Sequence, residues 1–159
     1  MQLGMSLPSQ DKQIAPIEIR KDIFNLEAAI RNLPDSKEGD YLPLKHTFAP
    51  GVYAREIFIP AGEVLVGKIH KHAHINILVS GRVTVVTEHN GKEELIGPLT
   101  MVSLPATKRA VYAHEDTIWI TIHLTDETDL EKIEEEVIAK DYISLDSPEE
   151  LLALTEDIL

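Results

Sequence analysis

Gly67-Lys68-Ile69-His70-Lys71-His72-Ala73-His74-Ile75-Asn76-Ile77-Leu78-Val79-Ser80-Gly81 is the stretch on which the reading of this chain turns. Three imidazoles alternate with other residues, aliphatic side chains follow, and a glycine closes the run. It therefore predicts a strand that presents His70, His72 and His74 on one face. Neutral imidazole is the commonest metal ligand among side chains. Two of them at i and i+2 have Cβ atoms roughly 6–7 Å apart, close enough to share an ion. On a straight strand His70 and His74 stand about 13 Å apart, whereas metal–nitrogen bonds are about 2 Å long. One ion takes all three only if the chain bends near Ala73, or one histidine gives way to a ligand from elsewhere.

Working outward, the segments Val52–Ile59, Val64–Ile69, His72–Val79, Arg82–His89, Lys92–Ile96, Thr100–Leu104, Arg109–Ala113 and Thr117–Leu124 are short and rich in Val, Ile and Thr. Gly, Pro or Asn separates them, and no helical pattern intervenes. Asn90-Gly91 predicts a two-residue type I′ hairpin. About eight short antiparallel strands in one run indicate a mainly β sandwich or barrel, and a jelly roll suits the length. Before them, Ile23, Leu26, Ile30 and Leu33 have the spacing of an amphipathic helix over Lys21–Leu33, stopped by Pro34. After them, Thr128 and Glu131 form a possible capping box for a helix carrying Leu130, Ile133, Val137 and Ile138, whose glutamates are its solvated face. A short extended piece, Tyr142 to Leu145, leads to Asp146-Ser147-Pro148, which announces a last helix through Ile158. The expected organisation is a tail (1–15), a helical arm and linker (16–42), a β domain (43–126) and a helical extension (127–159).

Composition limits the function classes. At 159 residues and 43% hydrophobic, the chain holds one buried core. A net charge of −12 argues against nucleic acid or an anionic membrane as partner, because phosphate contacts need clustered Lys and Arg. The absence of cysteine removes disulfides, thiolate metal sites and cysteine nucleophiles together. Neither a signal-peptide pattern nor a window long enough to span a membrane is visible, so a cytoplasmic location is the expectation.

Pro60-Ala61-Gly62, the histidine cluster and Gly81 together resemble the first motif of the cupins, small jelly-roll barrels whose metal sits among side chains from the inner strand faces. Gly97-Pro98 and Leu104-Pro105-Ala106-Thr107-Lys108-Arg109 echo the second motif. The resemblance covers roughly Pro43 to Thr125. Within it, His70–Gly81 and Lys108–Thr117 are similar to small cupin-like proteins carried by bacteriophages. The resemblance implies a cupin barrel with terminal helices and a metal on the first-motif side chains. Here His74 stands seven residues before Gly81, where the family has a glutamate. Arg109, or Ala110 in a shifted alignment, replaces the second-motif histidine. Arginine has no free lone pair and is not an ordinary ligand, so the fourth family ligand is missing unless His114 or His123 supplies it.

The metal candidates are thus His70, His72 and His74, with His114 and His123 as possible additions. Imidazoles without thiolate suit a divalent transition metal, Zn, Ni, Fe or Cu. The bland alternative is a hydrogen-bonded polar patch or a subunit contact. Lys108 and Arg109 are candidates to hold a substrate carboxylate or phosphate. His46, in the linker, and His89, at a hairpin end, read as surface residues. His123 shares its parity with Thr117, Trp119 and Thr121, opposite Ile118, Ile120 and Ile122, and parity does not say which set faces inward. Two functions follow. One is a metal-binding protein that acts on or sequesters a small polar molecule, catalytically or not. The other is a non-catalytic homo-oligomeric structural or accessory protein of the phage virion kind, with residues 1–15 as an assembly arm. A metal-free sugar-nucleotide epimerase on the same fold would need a His–Tyr pair that the sequence does not place.

Overall fold

A computed structural model describes residues 16–141 of the chain. The expectations for residues 1–15, for the extended piece 142–145 and for a last helix over 146–158 lie outside the described residues. The element order is α1 (Pro16–Arg31), β1 (Leu44–Ala49), β2 (Val52–Ile59), β3 (Val64–Val66), β4 (Ile69–His70), β5 (His74–Ser80), β6 (Arg82–Thr87), β7 (Gly91–Ile96), β8 (Leu99–Ser103), β9 (Arg109–Ala113), β10 (Thr117–Leu124), α2 (Leu130–Val137) and β11 (Ile138–Ala139).

All pairings are antiparallel. They form a five-stranded sheet in the order β1-β2-β10-β5-β8, a four-stranded sheet β3-β9-β6-β7, and a small β11-β4 pair. The two large sheets share no hydrogen-bonded strand pair, so the jelly roll is two open sheets over one interior rather than a closed ring. Ile59, Leu78, Val83, Val85, Val111, Ala113 and Trp119 form the core between them. Helix α1 lies on the outer side of the four-stranded sheet, where Ile19 and Ile23 pack on Val66, Val86 and Ala110. Helix α2 places Ile133 and Val137 against Tyr53.

Several local expectations are corrected. Helix α1 begins at Pro16, and Leu26 and Leu33 of the anticipated stripe are exposed, because the packed row is Ile19 and Ile23. The linker reading missed β1, in which Leu44 and His46 alternate in burial with Lys45 and Thr47. The cap of α2 is Asp129, whose carboxylate accepts from the backbone N–H of Glu131 and Lys132. The β6–β7 turn is not a two-residue loop. Thr87 pairs with Gly91 across three residues, and only Gly91 has positive φ. That is the type of loop in which one left-handed residue ends the turn.

The segment from His72 to Val79 is also not one straight strand. The backbone bends at Lys71 and His72, between β4 and β5. Strand β11 pairs with β4 and holds the upstream half: Ile138 stands opposite His70, and the Lys71 N–H donates to the Val137 carbonyl.

Candidate functional site

The bend decides which imidazoles meet. It turns His70 and His74 toward the same space, with ring centroids 4.3 Å apart, and leaves His72 exposed on the outer side. The third ring comes from β10. His123 lies 5.5 Å from His70 and 5.3 Å from His74. The strand pairings explain its arrival: β10 runs between β2 and β5, with Ile122 opposite Ile75, which carries His123 alongside the start of β5. The parity question is thereby answered. Thr117, Trp119, Thr121 and His123 are buried, and the intervening isoleucines form the outer face.

The cluster is electrically neutral. Burial pushes His70 down to about 2, reinforced by the neighbouring His74 and His123 and by Arg109 and Arg55. Burial likewise lowers His123 to about 4, with His74 next in effect. His74 is lowered by burial too, against a smaller opposing effect of its bond to the backbone. That bond joins His74 Nδ1 to the His72 carbonyl at 3.1 Å. A carbonyl only accepts, so Nδ1 carries the proton and Nε2 carries the lone pair. His74 Nε2 is buried with no hydrogen-bond partner.

Do these residues fit a metal? Rings bound at about 2.0–2.1 Å to one tetrahedral ion have centroids roughly 5 Å apart. The two separations to His123 match that figure and the His70–His74 separation falls short of it. As the rings stand, no group of three or more His, Cys, Asp or Glu among the described residues has the geometry to hold an ion. Uptake therefore requires the His70 and His74 rings to turn apart. The donor set itself fits: three neutral imidazoles, one with an orphaned buried nitrogen and a backbone carbonyl that fixes its tautomer.

Beside the cluster is a cavity of about 280 Å³, lined by His70 and His123, by Arg109, Trp119 and Thr121, and by apolar residues including Ile57. Asn76, fully buried on β5, organises its polar side. Its Oδ1 accepts from Trp119 Nε1–H at 3.0 Å and from Thr121 Oγ1 at 3.4 Å, while its amide donates to Ser103 Oγ at 2.7 Å. Also in the cavity lining, His46 Nδ1 and Tyr53 Oη are 2.7 Å apart, and burial raises the Tyr53 phenol above its usual range. This is a His–Tyr pair that the sequence did not place. The signal that would have found His46 is the alternation of Leu44, His46 and Phe48 ahead of the Pro50-Gly51 turn.

The remaining candidates separate. Arg109 enters the cavity, but Lys108, one residue earlier, necessarily points the other way. Its Nζ donates to Glu27 of α1 at 2.8 Å and lies 4.7 Å from the Phe24 ring. Lys108 therefore does not share a ligand with Arg109. His114 follows β9 and bonds Thr84 Oγ1 at 2.7 Å with its ring edge-on to Tyr112, away from the other imidazoles.

No family profile matches the chain, and no curated protein matches it either. Solved structures do. Ectoine synthase from P. lautus superposes with a TM-score of 0.51 at 12% identity, over 69% of this chain and 82% of that one. A cupin 2 domain-containing protein from Halorhodospira halophila gives 0.49 at 16% identity, over 79% and 83%. KdgF from Halomonas sp. gives 0.46 at 22% identity, over 61% and 94%. The likeness is one of fold, a mainly β jelly roll with antiparallel sheets.

Proposed function

We propose that this small cupin-type protein binds a divalent transition metal through His70, His74 and His123, and takes a small polar molecule into the adjoining cavity. One observation supports this above the others: three neutral imidazoles from strands β4, β5 and β10 meet in the interior, and one presents a buried nitrogen lone pair with no partner. A packed structural histidine would have that nitrogen satisfied. When bound, Zn, Ni, Fe or Cu supplies Lewis-acid polarisation of a ligand atom. The chain's own residues do the rest. The His72 carbonyl orients His74, the Asn76 network fixes Trp119 and Thr121, and His46 and Tyr53 hydrogen-bond in the cavity wall.

The test is metal analysis of the purified full-length protein, followed by melting with added Zn²⁺ or Ni²⁺. An ion at a hundredfold excess over its dissociation constant adds about 2.7 kcal/mol, a readily visible shift. The shift should vanish in His70→Ala/His123→Ala. A protein that carries no transition metal and melts identically with and without the ions ends this reading.

A second reading, a homo-oligomeric structural or accessory protein of the phage virion kind, is favoured by the outer face of the five-stranded sheet. Thr47, Ala54, Ile122, Ile75 and Val102 stand in one row across all five strands. Ile75 and Val102 are 43% and 66% exposed. Alternation puts only Lys45 and Glu56, paired across β1 and β2, as charges on that face. A second copy therefore meets little like charge on that face itself. Light scattering decides: Ile75→Lys/Val102→Lys should be monomeric where the unaltered chain is a dimer or larger, and a monomeric unaltered chain overturns it.

A further inference from the structure

The strongest unexplained feature of the interior is the charge on Arg109. The other arginines each meet a carboxylate: Arg20 meets Glu88, Arg31 meets Glu27, Arg55 meets Asp40 at 2.9 Å, and Arg82 meets Glu94. Arg109 meets none among the described residues. Its Nη1–H donates to Asn76 Oδ1 at 3.4 Å, another N–H donates to Ser103 Oγ, and its guanidinium lies 5.3 Å from the Trp119 ring centre. Every one of those partners is uncharged. Burial lowers its pKa to about 10, and a guanidinium remains a cation at neutral pH.

Arg109 is half-buried in the cavity wall, and a cation taken largely out of water without a counter-charge is costly to keep, so chains ordinarily pair it or replace it. This chain has 27 acidic residues against 15 basic ones, so carboxylates are not scarce. The neighbouring imidazoles are neutral and offer no negative charge. The Asn76–Ser103 scaffold nevertheless holds the guanidinium in one orientation beside an aromatic face, which is the arrangement of a preformed anion receptor rather than of a structural ion pair. One guanidinium matches a monoanion. Ile57, Ile59, Leu65 and Val111 around it give the cavity an apolar side, and about 280 Å³ lies just below the range of roughly 300–1,000 Å³ that accommodates drug-sized ligands.

We infer that the cavity is selective for a small organic monocarboxylate with an apolar body, its carboxylate paired to Arg109 and its body against Trp119 and the aliphatic residues. The inference rests on the reading of this cavity as a ligand site, and it names the ligand class.

The experiment titrates the full-length protein by calorimetry with propionate and 3-phenylpropionate, with their neutral amides, and with inorganic phosphate. Each titration is run with Ni²⁺ and again with a chelator. The carboxylates should bind at least tenfold more tightly than the amides, and 3-phenylpropionate more tightly than propionate. In Arg109→Met the preference for acid over amide should disappear, while the ligand-free variant melts no lower than the original because an unpaired buried charge has gone. Arg109→Lys keeps the charge without the fork and should retain part of the preference, which covers the case of a misfolded methionine variant. Equal binding of acid and amide, stronger binding of phosphate, or an unchanged preference in Arg109→Met overturns the inference. Because metal uptake is read separately from the Ni²⁺ melt, carboxylate binding without a metal shift would sink the metal reading alone, and a metal shift without carboxylate binding would sink only this one.

Discussion

Across their shared interior the two large sheets are unlike. Strands β6 and β9 contribute Val83, Val85, Val111 and Ala113, all buried and apolar. Facing them, β2, β5 and β10 contribute Tyr53, His74, Asn76, Trp119, Thr121 and His123. Outside, the contrast reverses in kind. The four-stranded sheet is covered by α1, and the five-stranded sheet exposes isoleucines and valines. Arg109 apart, the four-stranded sheet gives the interior an apolar wall, while the five-stranded sheet shares in the apolar core through Ile59, Leu78 and Trp119 and also carries most of the polar groups. The second is tolerated because its polar atoms are joined through Asn76, and the atom left over, His74 Nε2, is the one a ligand would use.

The contrast can be broken by mutation. Leu78, on β5 with no exposed surface, packs with Val83, Val85 and Val111 in the apolar cluster, and Leu78→Ala should cost about 2–5 kcal/mol in denaturant unfolding. His74→Ala removes a buried ring and its bond to the His72 carbonyl, but also a nitrogen that lacks a partner; it should cost about 1–2 kcal/mol without metal, less than Leu78→Ala, yet abolish the metal-induced rise in melting temperature. Equal losses for the two variants would mean that the histidines are ordinary core.

Acidification should weaken the polar half selectively. His70 and His123 have folded-state values of about 2 and about 4, below the unfolded value of about 6.5. The unfolded chain therefore binds more protons than the folded one below that point. Stability should be fully present above pH ~6.5 and fall from there toward pH 4, by up to about 1.4 kcal/mol per pH unit for each histidine. Urea melts across this range test it, and His70→Ala/His123→Ala should flatten the slope.

Smaller effects sharpen the picture at its borders. Asp129→Ala removes the cap of the helix whose Ile133 and Val137 help line the cavity and should cost about 1 kcal/mol. Least of all, His72→Ala and His114→Ala should stay within about 0.5 kcal/mol of the original and leave the metal-induced shift intact, because neither ring joins the cluster.

Much of this was legible in the residues. The β-rich centre, its punctuation by Gly and Pro and the flanking helices all follow from local pattern. His72 misled because strict alternation describes a straight strand, whereas the bend at Lys71 and His72 depends on β11 pairing with β4 from about 70 residues away. His46 was hidden by a short strand between prolines. Lys108 and Arg109 looked like a pair in the sequence but diverge because successive residues of a strand point to opposite faces.

By itself, then, the sequence determined the class of fold and supplied a neutral-imidazole donor set, since periodicity and side-chain chemistry are properties of neighbouring residues. Only the tertiary structure decided which three imidazoles meet, which parity of β10 faces inward, and that Arg109 has no carboxylate beside it among the described residues. Those outcomes depend on pairings between distant strands, where Thr121 and His123 are buried through one register of β10 against β2 and β5 and would be turned outward by a slip of one residue.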